Sequence, residues 1–168
     1  MNRFNSICLA AIVLAFVFSG CGKRLTEEQM RAQALNAENE EKWDEAINWY
    51  EKIVKTYPKS EKAGEELYKL GMLYANHQKD FEKSVDAYKR LIEKYPDSRH
   101  AIQSLFMIGY RYANDIGDLE KARQAYEEFM KKYPDHELAS SVAWELENLG
   151  KDISDIETQL GQAASENP

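Results

Sequence analysis

The chain reads as an all-α solenoid: three antiparallel helix pairs stacked side by side, closed by a C-terminal capping helix. Three observations predict this. The pair Tyr-Pro occurs at Tyr57-Pro58, Tyr95-Pro96 and Tyr133-Pro134, each 38 residues after the last. Small and aromatic positions keep the same step: Ala46, Ser84 and Ala122; Tyr50, Tyr88 and Tyr126; Ala63, Ala101 and Ala139; Tyr68, Phe106 and Trp144. No period-2 run flanked by turn residues interrupts the helical pattern from Thr26 to about Gly150, so no sheet is expected. A fixed period of this size marks units that bury their apolar faces only against their neighbours.

The elements follow in order. Thr26-Glu27-Glu28-Gln29 has the form of a capping box and starts the first helix. The pairs are predicted at 27–40 with 43–57, 60–76 with 80–95, and 98–114 with 118–133, followed by a last helix over 136–149. Ser60 and Ser98, two residues after the first and second Tyr-Pro, suit N-caps, and Asp80 and Asp118 precede the second helices. Each proline ends its unit because it pushes the residue before it out of helical geometry. Gly71 and Gly109 allow close approach, and the three tyrosines fill the space between units. The first unit is more degenerate, with Met30, Gln33, Ala34 and Ala37 at its core positions. The repeat domain thus spans 26–150. The tail, 151–168, offers one apolar stripe (Ile153, Ile156, Leu160) before a small, polar and partly disordered end.

The N-terminus carries a different signal. Ile7 to Phe18 is an unbroken apolar run of 12 residues, too short to span a membrane and of signal-peptide length. It ends in Phe18-Ser19-Gly20-Cys21, which resembles the lipobox of bacterial lipoproteins, with Phe18 where that family usually has Leu. The resemblance implies a signal peptide over 1–20, diacylation of the Cys21 thiol, and acylation of the new amino terminus. The other reading is an ordinary thiol behind a secretory signal or membrane anchor. Two or three acyl chains give lasting attachment at about 0.8 kcal/mol per buried CH₂. The tether 21–25 is short: Gly22 to Leu25 reaches at most ~14 Å, so the body is expected to sit against the membrane. Gly22, rather than Asp, follows the cysteine, which in such lipoproteins implies the outer membrane, periplasmic face, if the host has two membranes.

Composition excludes other classes. Net charge is −7, and −8 once Arg3 leaves with the signal, which argues against nucleic acid and against a basic membrane-docking face. No cysteine follows Cys21, so packing alone must stabilise the fold. His77, His100 and His136 lack metal-site spacing and read as surface histidines, and no phosphate loop or nucleophile motif is present. The acidic clusters Glu38-x-Glu40-Glu41 and Glu65-Glu66 read as solvated faces. No enzyme activity, cofactor or metal is expected.

Leu67-x-x-Leu70-Gly71-x-x-Tyr74 followed by Ser84, Tyr88 and Pro96 resembles the tetratricopeptide-repeat (TPR) pattern, and Leu105-x-x-Ile108-Gly109-x-x-Tyr112 with Ala122, Tyr126 and Pro134 repeats it. The period here is 38 against 34 in the family, with one extra residue between Tyr74 and Phe81 and the rest after each proline. Lipobox, short tether and Tyr-Pro units together are similar to the BamD-like lipoproteins of outer-membrane β-barrel assembly, which carry more repeats. The repeat part of the Tol-Pal coordinator family is the rival resemblance, and would imply an accessory that recruits or regulates peptidoglycan enzymes. Either implies a scaffold for envelope proteins. In TPR arrays the first helix of each pair lines a concave groove, which places Tyr68, Met72 and Asn76, then Phe106, Tyr110 and Asn114, then Trp144 and Asn148 along one wall. Aromatics and Met supply contact area and amides satisfy a peptide backbone. Equally, a stripe at helical spacing fills the interface between units. The lysines Lys52, Lys55, Lys131 and Lys132 are expected to face solvent.

Overall fold

A computed structural model describes residues 24–151 and Ser154. The first helix, α1 (Glu27–Asn39), starts where Thr26 predicts it: Thr26 Oγ1 accepts the Gln29 N–H at 3.2 Å, and Gln29 Oε1 accepts the Thr26 N–H at 2.9 Å. Next come α2 (Trp43–Thr56), α3 (Ala63–Leu73), α4 (Phe81–Lys94), α5 (Ala101–Tyr110), α6 (Leu119–Lys132) and α7 (Ala139–Glu147). Each helix packs on the one before it, so α1/α2, α3/α4 and α5/α6 are hairpin units and α7 caps the stack. Among the described residues there is no strand, and no helix is long and apolar enough to cross a membrane. The signal peptide, Cys21 and the apolar stripe at Ile153, Ile156 and Leu160 lie outside the described residues.

Helix boundaries correct the sequence reading in two places. The first helices of units two and three begin at Ala63 and Ala101, three residues after the serines expected to cap them. Tyr57 and Tyr95 each place an N-terminal turn: the Ser60 and Ser98 N–H groups donate to their carbonyls at 3.0 and 2.9 Å. The serine carbonyls then accept from the Ala63 and Ala101 N–H, and the serine hydroxyls accept the Lys62 and His100 N–H at 3.2 and 3.4 Å, so each serine caps a leading turn ahead of the α-helix. The last helix likewise runs from Ala139 to Glu147, not 136–149. By contrast, Asp80 and Asp118 do cap, accepting the Lys83 and Lys121 N–H at 3.0 Å.

The second correction is helical type. Tyr74–Gln78 and Arg111–Ile116 wind as π-helix where the sequence reading runs α-helix to 76 and 114. A π-turn absorbs one extra residue in a helical run, and these segments lie where units two and three carry theirs. Left-handed residues then reverse the chain at Glu41 (φ 56), Lys79 (φ 55) and Gly117 (φ 79), again 38 apart.

The interior follows the repeat. Tyr50, Tyr88 and Tyr126 are fully buried and sit in three core clusters that run through the stack. Gly71 and Gly109 explain how these rings fit. A Cβ at either would lie 2.4 Å from a ring carbon of Tyr88 or Tyr126, so each glycine admits the ring of its own unit's second helix. Met30, Ala34 and Ala37 are buried as expected, but Gln33 is exposed. Its counterpart Leu70 is buried in the core that joins units one and two, whereas among the described residues no unit precedes α1.

Candidate functional site

The wall formed by α3, α5 and α7 takes its geometry from the repeat, because each first helix docks on the second helix of the unit before it. Along it the structure places Tyr68, Phe106 and Tyr110 half-buried, and Met72, Asn76, Asn114 and Trp144 exposed. Met72 (38%) and Trp144 (50%) are large apolar side chains with substantial free surface. Tyr68 and Phe106 rest on the second-helix tyrosine of their own unit, with centroids 5.7 Å from Tyr88 and 6.2 Å from Tyr126. Tyr68 also stacks on His100 at 4.5 Å, across to the next unit. Phe106 reaches Tyr110 at 6.3 Å, and the Arg111 guanidinium lies 5.5 Å from the Tyr110 ring. The rings thus share their area between packing and solvent.

The amides are arranged differently from the expectation. Asn114 Nδ2 donates to the Tyr110 carbonyl at 3.1 Å, and Asn148 Nδ2 to the Trp144 carbonyl at 2.8 Å. Each satisfies its own helix, and the Asn148 amide oxygen also accepts from Lys151 Nζ at 3.4 Å. Trp144 and Asn114 line one hollow of about 280 Å³ with Ala113, Leu119 and Asn148. This hollow closes the C-terminal end of the wall.

The acidic clusters do not behave as solvated faces throughout. Glu66 is 1% exposed and accepts from Arg31 Nε at 2.5 Å, while Arg31 also donates to Glu27 at 2.8 Å. Burial raises the Glu66 carboxyl above its ordinary range, with Arg31 opposing the shift. Glu38 accepts from the Tyr50 hydroxyl, and Lys69 Nζ donates to that hydroxyl at 3.0 Å. Burial, reinforced by Glu38, drives the Tyr50 hydroxyl strongly upward. The repeat carried a signal for the Glu66 site, since Glu66 occupies the register held by Ser104 and Val142.

The histidines are not plain surface groups either. His77 is exposed but stacks on Trp43 at 3.7 Å, and His136 lies edge-on to Phe129. All four lysines are exposed as expected, Lys132 while pairing with Glu128 at 2.6 Å. Among the described residues no three His, Cys, Asp or Glu side chains group to hold a metal ion.

On the opposite side, between α4 and α6, lies a hollow of about 450 Å³ that sequence reasoning missed. Leu105, Ile108 and Ala125 form its floor, and Lys89 and Tyr112 its wall.

A family model described as the tetratricopeptide repeat matches residues 30–60, 67–98 and 103–136, together more than half of the chain. No individual curated protein matches it.

Proposed function

Because the chain belongs to the tetratricopeptide-repeat family, whose members bind protein partners, we propose that it is a membrane-tethered scaffold that captures a peptide segment of another envelope protein. The observation that carries this reading is the aligned row Tyr68, Phe106 and Trp144 on successive first helices, bordered by Met72 and Tyr110. Aromatic and Met side chains that keep part of their surface in solvent gain most when a partner covers it. The lipobox-like Phe18-Ser19-Gly20-Cys21 supports a lipid anchor at Cys21, and with Gly22 supports the periplasmic face of an outer membrane. Within that setting, the likeness to the BamD-like family favours outer-membrane β-barrel assembly.

Phe106→Ala tests the groove. Partner capture should weaken at least tenfold while the thermal midpoint moves by only a few degrees, because the ring is half-buried. A large loss of stability would assign Phe106 to packing and remove the groove. Co-purification in mild detergent tests the setting: a barrel-assembly subunit is expected, and recovery of a peptidoglycan synthase instead would replace it. Cys21→Ser should release the protein into the soluble periplasmic fraction. If that variant stays with the membrane, an uncleaved signal holds it there and the lipid anchor is wrong.

A further inference from the structure

We propose a second docking site, independent of the concave wall: the crevice between α4 and α6 binds a short amphipathic helix with a central carboxylate and a basic residue toward each end. The crevice exists because one junction is closed and the next is open. Between units one and two, Arg90 on α4 reaches Glu51 on α2 at 3.1 Å, and the Tyr74 hydroxyl donates to the same carboxylate at 3.3 Å. Beneath them Leu67, Leu70 and Ala87 are completely buried. One repeat later Glu128 stands in Arg90's register and Lys89 in Glu51's, and both line the hollow. Lys89 turns instead to the Tyr112 hydroxyl, at 3.0 Å, and Glu128 to Lys132 on its own helix. The floor residues Leu105, Ile108 and Ala125 keep 4–7% of their surface in solvent. The hollow above them, about 450 Å³, adjoins a smaller one of about 160 Å³ that shares Lys89 and Tyr112.

Shape and charge select the occupant. The two hollows run from Glu82 to Glu93 along α4, roughly 16 Å at the rise of an α-helix, which is about three turns of a partner helix. An apolar floor between two helices is the setting for helix-in-groove recognition. The rim charges around it are mostly matched at home: Asp86 with Arg90, Asp118 with Lys121, Glu128 with Lys132. Three are not. Among the described residues Lys89, in the middle, forms no ion pair and only bonds the Tyr112 hydroxyl, and Glu82 and Glu93, toward the ends, form no ion pair either, although both share a hollow with Lys89. A helix with an acid at its centre and a base near each end answers all three.

Two synthetic three-turn peptides test this, one with a leucine stripe, a central glutamate and flanking lysines, the other with these charges reversed. The first should bind saturably, shift the Ile92 and Ile108 methyl resonances, and exceed the second by at least tenfold. Lys89→Glu should narrow that margin several-fold, because one of the three rim charges then changes sign. Ala125→Leu, which fills the floor without touching the rim, should abolish binding of both, with the thermal midpoint reporting that the variant is folded. Phe106→Ala should leave this binding unchanged, which separates it from the concave wall. Equal affinity for the two peptides, no saturable binding, or an unaltered preference in Lys89→Glu would overturn the proposal. So would concentration-dependent dimerisation abolished by Lys89→Glu, since the crevice would then hold a second copy of the chain.

Discussion

Units one and two meet through a largely buried charge network, whereas units two and three meet mainly through rings and apolar contact, with one exposed ion pair, Arg99 to Glu65 at 3.8 Å. At the first junction Arg31 spans Glu27 and the buried Glu66, Lys69 and Glu38 meet at the Tyr50 hydroxyl, and Arg90 joins Glu51. At the second, the Tyr88 hydroxyl and Arg111 Nε are buried without a hydrogen-bond partner. Ser84 and Arg111 lie near that hydroxyl, neither with good geometry, and burial pushes it up to about 12. Ser104 Oγ, in Glu66's register, is also unpartnered. The same backbone repeat therefore holds two chemically different seams. Buried polar groups left unpaired each cost about 1–3 kcal/mol; among the described residues the first seam leaves Glu66 Oε2 so and the second leaves these three, so the second seam is the looser one, and it is the seam that opens a crevice.

The largest test of this contrast is Arg31→Ala. It strands the Glu66 carboxylate, and breaking a buried pair from one side costs about 3–5 kcal/mol. The denaturation midpoint should fall accordingly, and Glu66→Val in the same background should recover most of the loss, because Val142 already fills that register in α7. A fall below about 1 kcal/mol would show that charge does not hold the first seam. The pH dependence has a definite sign. The folded Glu66 carboxyl binds its proton more tightly than the ordinary value near 4.5, so the folded state holds more protons and stability falls as pH rises through that window. Without Arg31 the shift grows, so the variant should lose stability over a wider range above pH 4.5 than the parent does.

Within a unit the two regions should respond alike. Gly71→Ala and Gly109→Ala each drive a Cβ to 2.4 Å from a tyrosine ring carbon. Overpacking costs about 1–3 kcal/mol, against a gain of about 1 kcal/mol in helix propensity. The contact is too short for small adjustments, so a net loss of about 2 kcal/mol is expected at both. Matching losses in thermal unfolding would place the asymmetry between units and not inside them. A loss at one glycine alone would contradict that division.

How far the sequence reached follows the same line. Spacing revealed the recurring hairpins, the buried tyrosines and the Asp80 and Asp118 caps. It located the extra residue before Phe81 but not the π-turn that absorbs it, because periodicity counts residues and not hydrogen bonds. Ser60 and Ser98 misled for a related reason. A serine after Tyr-Pro suits a cap by composition, and its hydroxyl does accept the N–H two residues on, but what it caps is a turn that precedes the α-helix. For the candidate wall, alignment of Tyr68, Phe106 and Trp144 was legible, while their division between packing and exposure depends on Tyr88, Tyr126 and His100 across the stack. The crevice was readable only as a difference between repeats, Arg90 against Glu128, and a search for sameness passes over it.

That difference also supplies the finest test. Lys89→Glu combined with Glu128→Arg transplants the Glu51–Arg90 arrangement onto the second seam, where Tyr112 already stands in Tyr74's register. The new pair would be partly exposed like its template, whose side chains are 35% and 28% accessible, so the direct gain is small, about 0.5 kcal/mol. Its diagnostic value lies in the floor. If the charge pair closes the first seam, the double variant should slow hydrogen exchange in α5 near Leu105 and Ile108 and return those methyls to a dry environment, while either single substitution should not. Unchanged exchange in the double variant would mean that helix placement, not the side-chain pair, sets the opening, and the two seams would differ in backbone geometry first and in charge only as a consequence.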